Sequence, residues 1–350
     1  MQKKMEVGVL GATGMVGQQF AHQLRDHPWF DLTWLGASER SAGKPYAEAT
    51  NWVQDSEMPE GLGERIVSEA KPDGNAPKLV FSAMDASVAG EIEQAFARAG
   101  HIVVSNSKNH RMDPDVPLLI PEINAAHLGL IETQRKNRGW SGAIVTNPNC
   151  STITMTMGLA PLKPFGLKKV LAATMQAMSG AGYPGLPSMD IVANVIPHIG
   201  GEEDKVETES QKILGTFSDG AIEHLPAAVS AHCNRVQVID GHLVCLSIEL
   251  EEKVGVERLI EAMEAWRGKP QELDLPTAPK QPVHVRPEEN RPQTRRDVMA
   301  EAGMAVSVGR VRECPLLDYK FVVLGHNTIR GAAGAAVLNA ELMKVEGYLD

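Results

Sequence analysis

The chain has 350 residues, 43% of them hydrophobic and 22% charged, with a formal net charge of −10. That length is enough for two domains with a sizeable core. An acidic balance with no basic block argues against a nucleic-acid backbone as partner, and no apolar run reaches the ~18 residues of a membrane helix.

The opening segment, MQKKMEVGVLGATG, is basic and then apolar, as secretion signals are, but its apolar part is short and runs straight into a glycine motif. It reads as a first strand. MVGQQFAHQLRDH predicts a helix with Val16, Phe20 and Leu24 on one face. DLTWLGAS predicts a second strand, KLVFSAM (78–84) a third, GEIEQAFARAG a helix and HIVVSNS (101–107) a fourth strand. Such alternation implies a parallel sheet covered by helices. Residues 108–145, with Pro114, Pro117 and Pro121, read as an irregular connection.

After residue 150 the pattern changes. STITMTMGLAPL predicts a helix, and LKKVLAATMQAMS (167–179) starts with strand character. VQVIDGHLVCLSIEL (236–250) reads as two strands joined at Asp240-Gly241, and GMAVSVGRVREC (303–314) with DYKFVVLGH (318–326) as another pair. A mainly antiparallel sheet with helices on one face fits this half. The Pro-rich, charged stretch 269–297 reads as an exposed loop with room for short strands. NTIRGAAGAAVLNAELMKV predicts an Ala-rich helix that packs back on the first domain.

Gly11, Gly14 and Gly17 follow a strand and open a helix. In that context glycine lets the backbone turn tightly and approach a pyrophosphate held on the helix N-terminus. The first domain is therefore expected to be a Rossmann-type dinucleotide-binding domain, and the chain α/β. The end of the second strand chooses the dinucleotide. Ser38, Arg40 and Ser41, with Lys44 beyond, form a candidate cup for the 2′-phosphate of NADP; Glu39 keeps NAD as the alternative.

Cys150, Cys233, Cys245 and Cys314 are too widely spaced for a disulfide framework or a zinc site with close Cys pairs, so a reducing cytosol and no metal are expected. Three of them lie in strand-like segments and suit core packing. Cys150 differs. It follows the turn Asn147-Pro148-Asn149 and starts a helix, where free N–H groups and the helix dipole favour a thiolate. An exposed, reactive thiol with a lowered pKa is the expectation, and a buried structural cysteine the alternative.

These stretches together resemble aspartate-semialdehyde dehydrogenase, of the branch found in archaea and fungi. The resemblance covers essentially the whole chain and rests on GATGMVG (11–17), ASERSAGKPY (37–46), SNSKNHR (105–111), PNCSTI (148–153), QAMSGAG (176–182), GGEEDKVE (200–207), CNRVQVIDGH (233–242) and GHNTIRGAAG (325–334). It implies reduction of L-aspartyl 4-phosphate to the semialdehyde with NADPH, through a thioester on Cys150, in biosynthesis of lysine, threonine, methionine and isoleucine. His242 would be the acid/base. Gln176 and Asn149 would orient the acyl group, and Arg235 would hold the α-carboxylate. Glu202 would take the α-ammonium, with Glu203 left as an alternative by the register. Arg111 would be the main phosphate ligand, with Lys205 and Lys108 near it. Arg235 stands seven residues before His242, which in one regular strand would put them on opposite faces.

The resemblance also assigns Thr13, Met15, Val16, Ser82, Ser179, Gly180, Asn327 and Thr328 to the cofactor. It implies one domain of residues 1–149 with 328–350, and an α+β catalytic and dimerisation domain of residues 150–327, in a homodimer or homotetramer. An acyl-CoA reductase on the same scaffold, such as a malonyl-CoA reductase, is the rival; it would not need an ammonium-binding Glu. N-acetylglutamyl-phosphate reductase fits the motifs less well. A non-catalytic NADP-binding regulator would have lost the cysteine–histidine pair.

Overall fold

Short apolar runs bounded by turns build the first sheet. The computed structural model describes residues 3–349; Met1, Gln2 and Asp350, at the ends of the expected first domain, lie outside the described residues. Strands β1 (Met5–Leu10), β2 (Phe30–Ala37), β3 (Ser68–Glu69), β4 (Leu79–Ser82), β5 (Ile102–Ser105) and β6 (Ala143–Thr146) lie in the order β3-β2-β1-β4-β5-β6. All pair in parallel. β4, β5 and β6 are buried along their whole length, as a sheet covered on both faces requires. The strand order reverses between β1 and β4, which opens a crevice at their carboxyl ends. Helices α1 (Met15–Gln23), α2 (Ala86–Arg98) and α3 (Leu130–Arg138) accompany the strands.

Residues 108–145 are not irregular throughout. The prolines govern only the entry, with Pro121 at the first position of a short helix, Pro121–Asn124. Beyond it α3 buries Leu130, Ile131 and Gln134 and ends on left-handed Gly139, and β6 completes the sheet. Four residues of AIVT carry too little periodicity to announce a strand.

The second half opens with helix α4 (Cys150–Leu159). Its sheet contains β7 (Leu167–Gln176), β8 (Val195–Ile196), β11 (Ala228–Val236), β12 (His242–Leu250), β13 (Val283–Arg286), β14 (Val306–Glu313) and β15 (Tyr319–Gly325), in the order β13-β14-β15-β12-β7-β11-β8. Between β8 and β11, β9 (Thr216–Ser218) and β10 (Ala221–Glu223) form a separate hairpin. The large sheet is antiparallel except at β13–β14 and β7–β11. The two strands read at 236–250 are not neighbours: β11 ends at Val236, β12 starts at His242, and β7 lies between them. The 269–297 stretch holds β13 and the helical turns Lys269–Glu272 and Thr294–Asp297.

β12 alternates buried and half-buried residues without exception. Its buried face meets α4 and the apolar side of α5 (Glu202–Ile213) in one core. Alternation places Cys245 on the other, open face, and Cys314 falls at the end of β14, so of the three strand cysteines only Cys233 is buried. Helix α6 (Val256–Ala265) buries Leu259 and Met263. The chain then returns. A π-helical turn, Ile329–Ala333, leads into α7 (Gly334–Val345), which joins the core of the first sheet.

One buried ion pair fastens this return. Arg330 donates to both oxygens of Glu122, at 2.7 and 2.6 Å, and both side chains are 0% exposed. The same guanidinium reaches Met157 Sδ of α4 at 3.2 Å. Removing one partner of such a pair strands the other charge, at a cost of about 3–5 kcal/mol. We expect Arg330→Met and Glu122→Leu each to lower the urea midpoint strongly, and the double variant to lower it less than either alone. Equilibrium urea melts of the three variants check this.

Candidate active site

Asn149 sets the position of Cys150. Its side-chain oxygen accepts from the backbone N–H groups of Ser151 at 2.9 Å and Thr152 at 3.2 Å, capping α4. Cys150 is therefore the first residue of the helix. The rest of α4 is buried, and its threonines return their hydroxyls to the chain: Thr154 donates to the Cys150 carbonyl at 3.0 Å, Thr156 to that of Thr152 at 2.7 Å. Gly331 of the returning segment lies so close that a Cβ there would stand 2.6 Å from Cys150 Cβ.

Three neighbouring strands supply the opposite wall. β11 pairs Arg235 with Gln176 of β7, and β12 pairs Leu243 with Met175, which sets His242 beside Gln176. Arg235, Gln176 and His242 are all buried on the same face. The odd spacing of Arg235 and His242 is thus no obstacle, because they sit on different strands either side of β7. Gly180 packs over them; a Cβ there would meet Arg235 Nη1 at 2.7 Å and His242 Cε1 at 3.1 Å.

Cys150 Sγ lies 3.1 Å from His242 Nε2. His242 Nδ1 accepts from the Ala177 N–H at 3.1 Å, so the neutral ring carries its proton on Nε2, facing the sulfur. Glu202 accepts from Asn149 Nδ2 at 2.8 Å and pairs with Lys205. Burial works against its charge, yet Lys205 and that hydrogen bond hold the Glu202 carboxyl below its usual range. Glu203 turns away and accepts from the backbone N–H of Cys233 at 3.0 Å. Arg235 donates to the Ala177 carbonyl at 2.7 Å. Arg111 reaches in from the first half, donating to Glu209 at 2.9 Å and to the Asn106 carbonyl at 2.7 Å, with Nε buried and unpartnered. Lys108 is not brought into this cluster; it is exposed and acts on Asp85 at the start of α2.

The expectation of an exposed thiol with a lowered pKa is corrected. Cys150 is half-buried, and burial pushes the thiol up to about 12, with the Glu202 carboxylate adding to the rise. Lys205, Arg111 and Arg235 pull it the other way. Burial also pushes His242 down to about 3, against the pull of Glu202. Desolvation is the largest influence on both side chains and disfavours both ions, which favours a neutral thiol beside a neutral imidazole when no ligand is bound.

The glycine loop has the shape a dinucleotide needs. Gly11 has φ +74°, a Cβ at Gly17 would stand 2.3 Å from the Gly11 carbonyl, and one at Gly14 would make only an ordinary 3.5 Å contact with that carbonyl. Ser38, Glu39 and Arg40 form an exposed turn at the carboxyl end of β2, with Ser41 half-buried behind them. Met15, Ser179 and Thr328 line a cavity of about 240 Å³ together with Gln54, Asp240 and His326. Thr13 presents its carbonyl to Gln18 and Thr50, and Val16 is half-buried against the core. Ser82 is turned inward instead: it is fully buried and donates to Glu93 at 2.6 Å. Asn327 bridges the two loops beside His242, accepting from the Gly241 N–H at 2.8 Å and donating to Ser179 at 2.7 Å.

Sequence reading missed Glu209, Lys212, His326 and Gly331. For the first two a signal existed: Glu202, Lys205, Glu209 and Lys212 share one helical face. A face of alternating charge normally reads as solvated, and only tertiary burial overrides that.

The family description "Semialdehyde dehydrogenase, NAD binding domain" matches residues 6–131, and "Semialdehyde dehydrogenase, dimerisation domain" matches residues 159–330. The aspartate-semialdehyde dehydrogenase of Methanothermobacter thermautotrophicus is 52% identical, covering 97% of this chain and 99% of its own. That of Schizosaccharomyces pombe is 46% identical, covering 98% and 99%. The crystal structure of aspartate semialdehyde dehydrogenase with NADP from Candida albicans aligns with a TM-score of 0.91 at 43% identity, over 99% of both chains.

The electrostatics predict how the thiols react. Backbone N–H groups of Leu317 and Leu316 hold the half-buried Cys314 below the ordinary thiol range, while Cys150 lies far above it. In ligand-free protein, brief iodoacetamide treatment at neutral pH should label Cys314 ahead of Cys150. Below its pKa a thiol gains roughly tenfold in thiolate per pH unit, so Cys150 labelling should climb from pH 7 to 10 without a plateau. Peptide mapping across that range checks both.

Proposed function

The chain belongs to the aspartate-semialdehyde dehydrogenase family, and from that premise we propose that it reduces L-aspartyl 4-phosphate to L-aspartate 4-semialdehyde through a thioester on Cys150. The observation that carries this reading is the 3.1 Å approach of Cys150 Sγ to His242 Nε2, with Arg111, Glu202 and Arg235 grouped around it. A carboxylic acid derivative resists direct reduction, and a thioester divides the difficulty into two steps.

In the first step Cys150 Sγ attacks the acyl carbon; a C–S bond forms, the C–O bond to phosphate breaks, and phosphate leaves with the electron pair and takes up the thiol proton. The His242 Nε2–H and the cations Lys205, Arg111 and Arg235 favour the thiolate against burial. Arg235 holds the substrate α-carboxylate, Glu202 its ammonium and Arg111 with Lys205 its phosphate. Gln176 and Asn149 orient the carbonyl. The dinucleotide, when bound, supplies the hydride that the thioester carbon accepts. His242 exchanges the Nε2 proton with the oxygen on that carbon as the C–S bond breaks and the aldehyde forms. Lys108 has no part in this, given its exposed position.

An NAD(P)-binding domain opens the chain. Its glycine loop would hold the pyrophosphate, and the turn at Ser38, Arg40 and Ser41 would take the 2′-phosphate, which makes NADP the preferred dinucleotide. Residues 1–149 with 328–350 form the cofactor domain on this reading, and 150–327 the catalytic one. A second copy would cover the open face of the second sheet, where Leu171 is 43% exposed, as a homodimer or a pair of them. A reducing cytosol suits four free cysteines.

Purified protein, NADPH and aspartyl phosphate, followed by NADPH absorbance, test the reading. Turnover with malonyl-CoA but not aspartyl phosphate would reverse it in favour of an acyl-CoA reductase. Cys150→Ser should fold and bind NADP yet lose nearly all turnover, and His242→Ala should lose about 10²- to 10⁴-fold. Arg40→Ala should weaken NADPH by about 10- to 150-fold, the worth of a charge-assisted hydrogen bond, and barely alter NADH. Fluorescence titration with both dinucleotides decides; equal losses would remove Arg40 from the phosphate cup.

A further inference from the structure

Helix α5 buries charge where a surface helix would send it to water. Glu209 and Lys212 are each 1% exposed, and both point at the same piece of chain. Glu209 divides its oxygens between two halves of the site. Oε1 accepts from Arg111 at 2.9 Å, and Oε2 accepts from the backbone N–H of Asn149 at 2.7 Å, one residue before the nucleophile. Lys212 sets its ammonium among the carbonyls of Arg111, Asp113 and Val116, at 2.8, 2.8 and 2.9 Å. The loop that carries Arg111 is thus gripped from behind by one side chain and from the front by its neighbour one turn away.

We propose that Glu209 is a positioning residue that fixes the Arg111 guanidinium to the nucleophile's own helix, while Lys212 fastens the loop beneath it. The inference rests on reading Arg111 as the phosphate ligand. Only a carboxylate can do this. Both partners of Glu209 are N–H donors, so both positions must be acceptors. An amide of the same shape would turn an N–H toward one of them and leave a buried donor unmatched. The charge matters as well, because it balances a buried guanidinium. Nη1 donates to Glu209 and Nη2 to Asn106, which uses two of the five guanidinium N–H donors and leaves the second hydrogen of each Nη, with the buried Nε, for a ligand. Arg111 is then held at a set distance from Cys150, and phosphate is bound where the sulfur can displace it.

A double-mutant cycle tests this in the reverse reaction, with semialdehyde, NADP and inorganic phosphate. Glu209→Gln is expected to raise the KM for phosphate about tenfold or more and to leave the KM for NADP within about twofold. The double variant Arg111→Leu/Glu209→Gln should be no worse for phosphate than Arg111→Leu alone, because Glu209 acts through Arg111. An unchanged phosphate KM in Glu209→Gln, or losses that simply add in the double variant, overturns the inference and leaves the role of Arg111 intact. An unchanged phosphate KM in Arg111→Leu overturns the phosphate reading itself, and this inference with it. Should Glu209→Gln fail to fold, Glu209→Asp takes its place in the cycle. It keeps the charge but is one carbon too short to reach both partners, and the same outcomes apply.

Discussion

Asn149 is the residue on which the rest of the site depends. Its side-chain oxygen caps α4, its amide donates to Glu202, and its backbone N–H donates to Glu209. A helix has free N–H groups at its start, and a buried helix must satisfy them internally. Asn149 meets two of them with one oxygen and thereby fixes where Cys150 projects. Its remaining groups tie that start to α5. Neither helix can shift without breaking hydrogen bonds in a place water does not reach. The strands follow: Arg235, Gln176 and His242 face a cysteine that is already fixed.

That rigidity carries a cost in charge. Taking sulfur and imidazole out of water disfavours both ions, so the pair rests neutral. The cations around it are not free to correct this alone, because Glu202 faces Lys205 and Glu209 faces Arg111. An incoming dianionic substrate competes for those same cations. The site is therefore balanced around an occupant, and its charges are arranged for the complex more than for the empty pocket.

The sequence made some of this readable and hid the rest for definite reasons. Glycines at 11 and 17 were legible because each answers a steric demand of one turn. The helix that begins at Cys150 was legible because Pro and Asn announce a turn before it, whereas the local pattern left a reactive and a structural cysteine equally open. β6 was not, since four apolar residues fit a strand or a buried turn equally well. The placing of His242 across β7 from Arg235 was hidden too, because strand order is a long-range choice that spacing within one segment does not encode. The buried face of α5 misled in the opposite direction: its charges look solvated until a second helix and the 106–117 loop close over them.

The close fit of Gly331 against Cys150 has a consequence for how the protein is made. Residues 325–345 emerge from the ribosome well after residues 5–159, and synthesis delivers only about 5–20 residues each second. Until they arrive, the core of the first sheet lacks α7, Glu122 lacks its buried cation, and nothing covers the side of Cys150 that Gly331 will occupy. A nascent chain therefore carries this thiol in more water than the finished protein does. The electrostatic environment of Cys150 is thus complete only once residues 325–345 have docked against it.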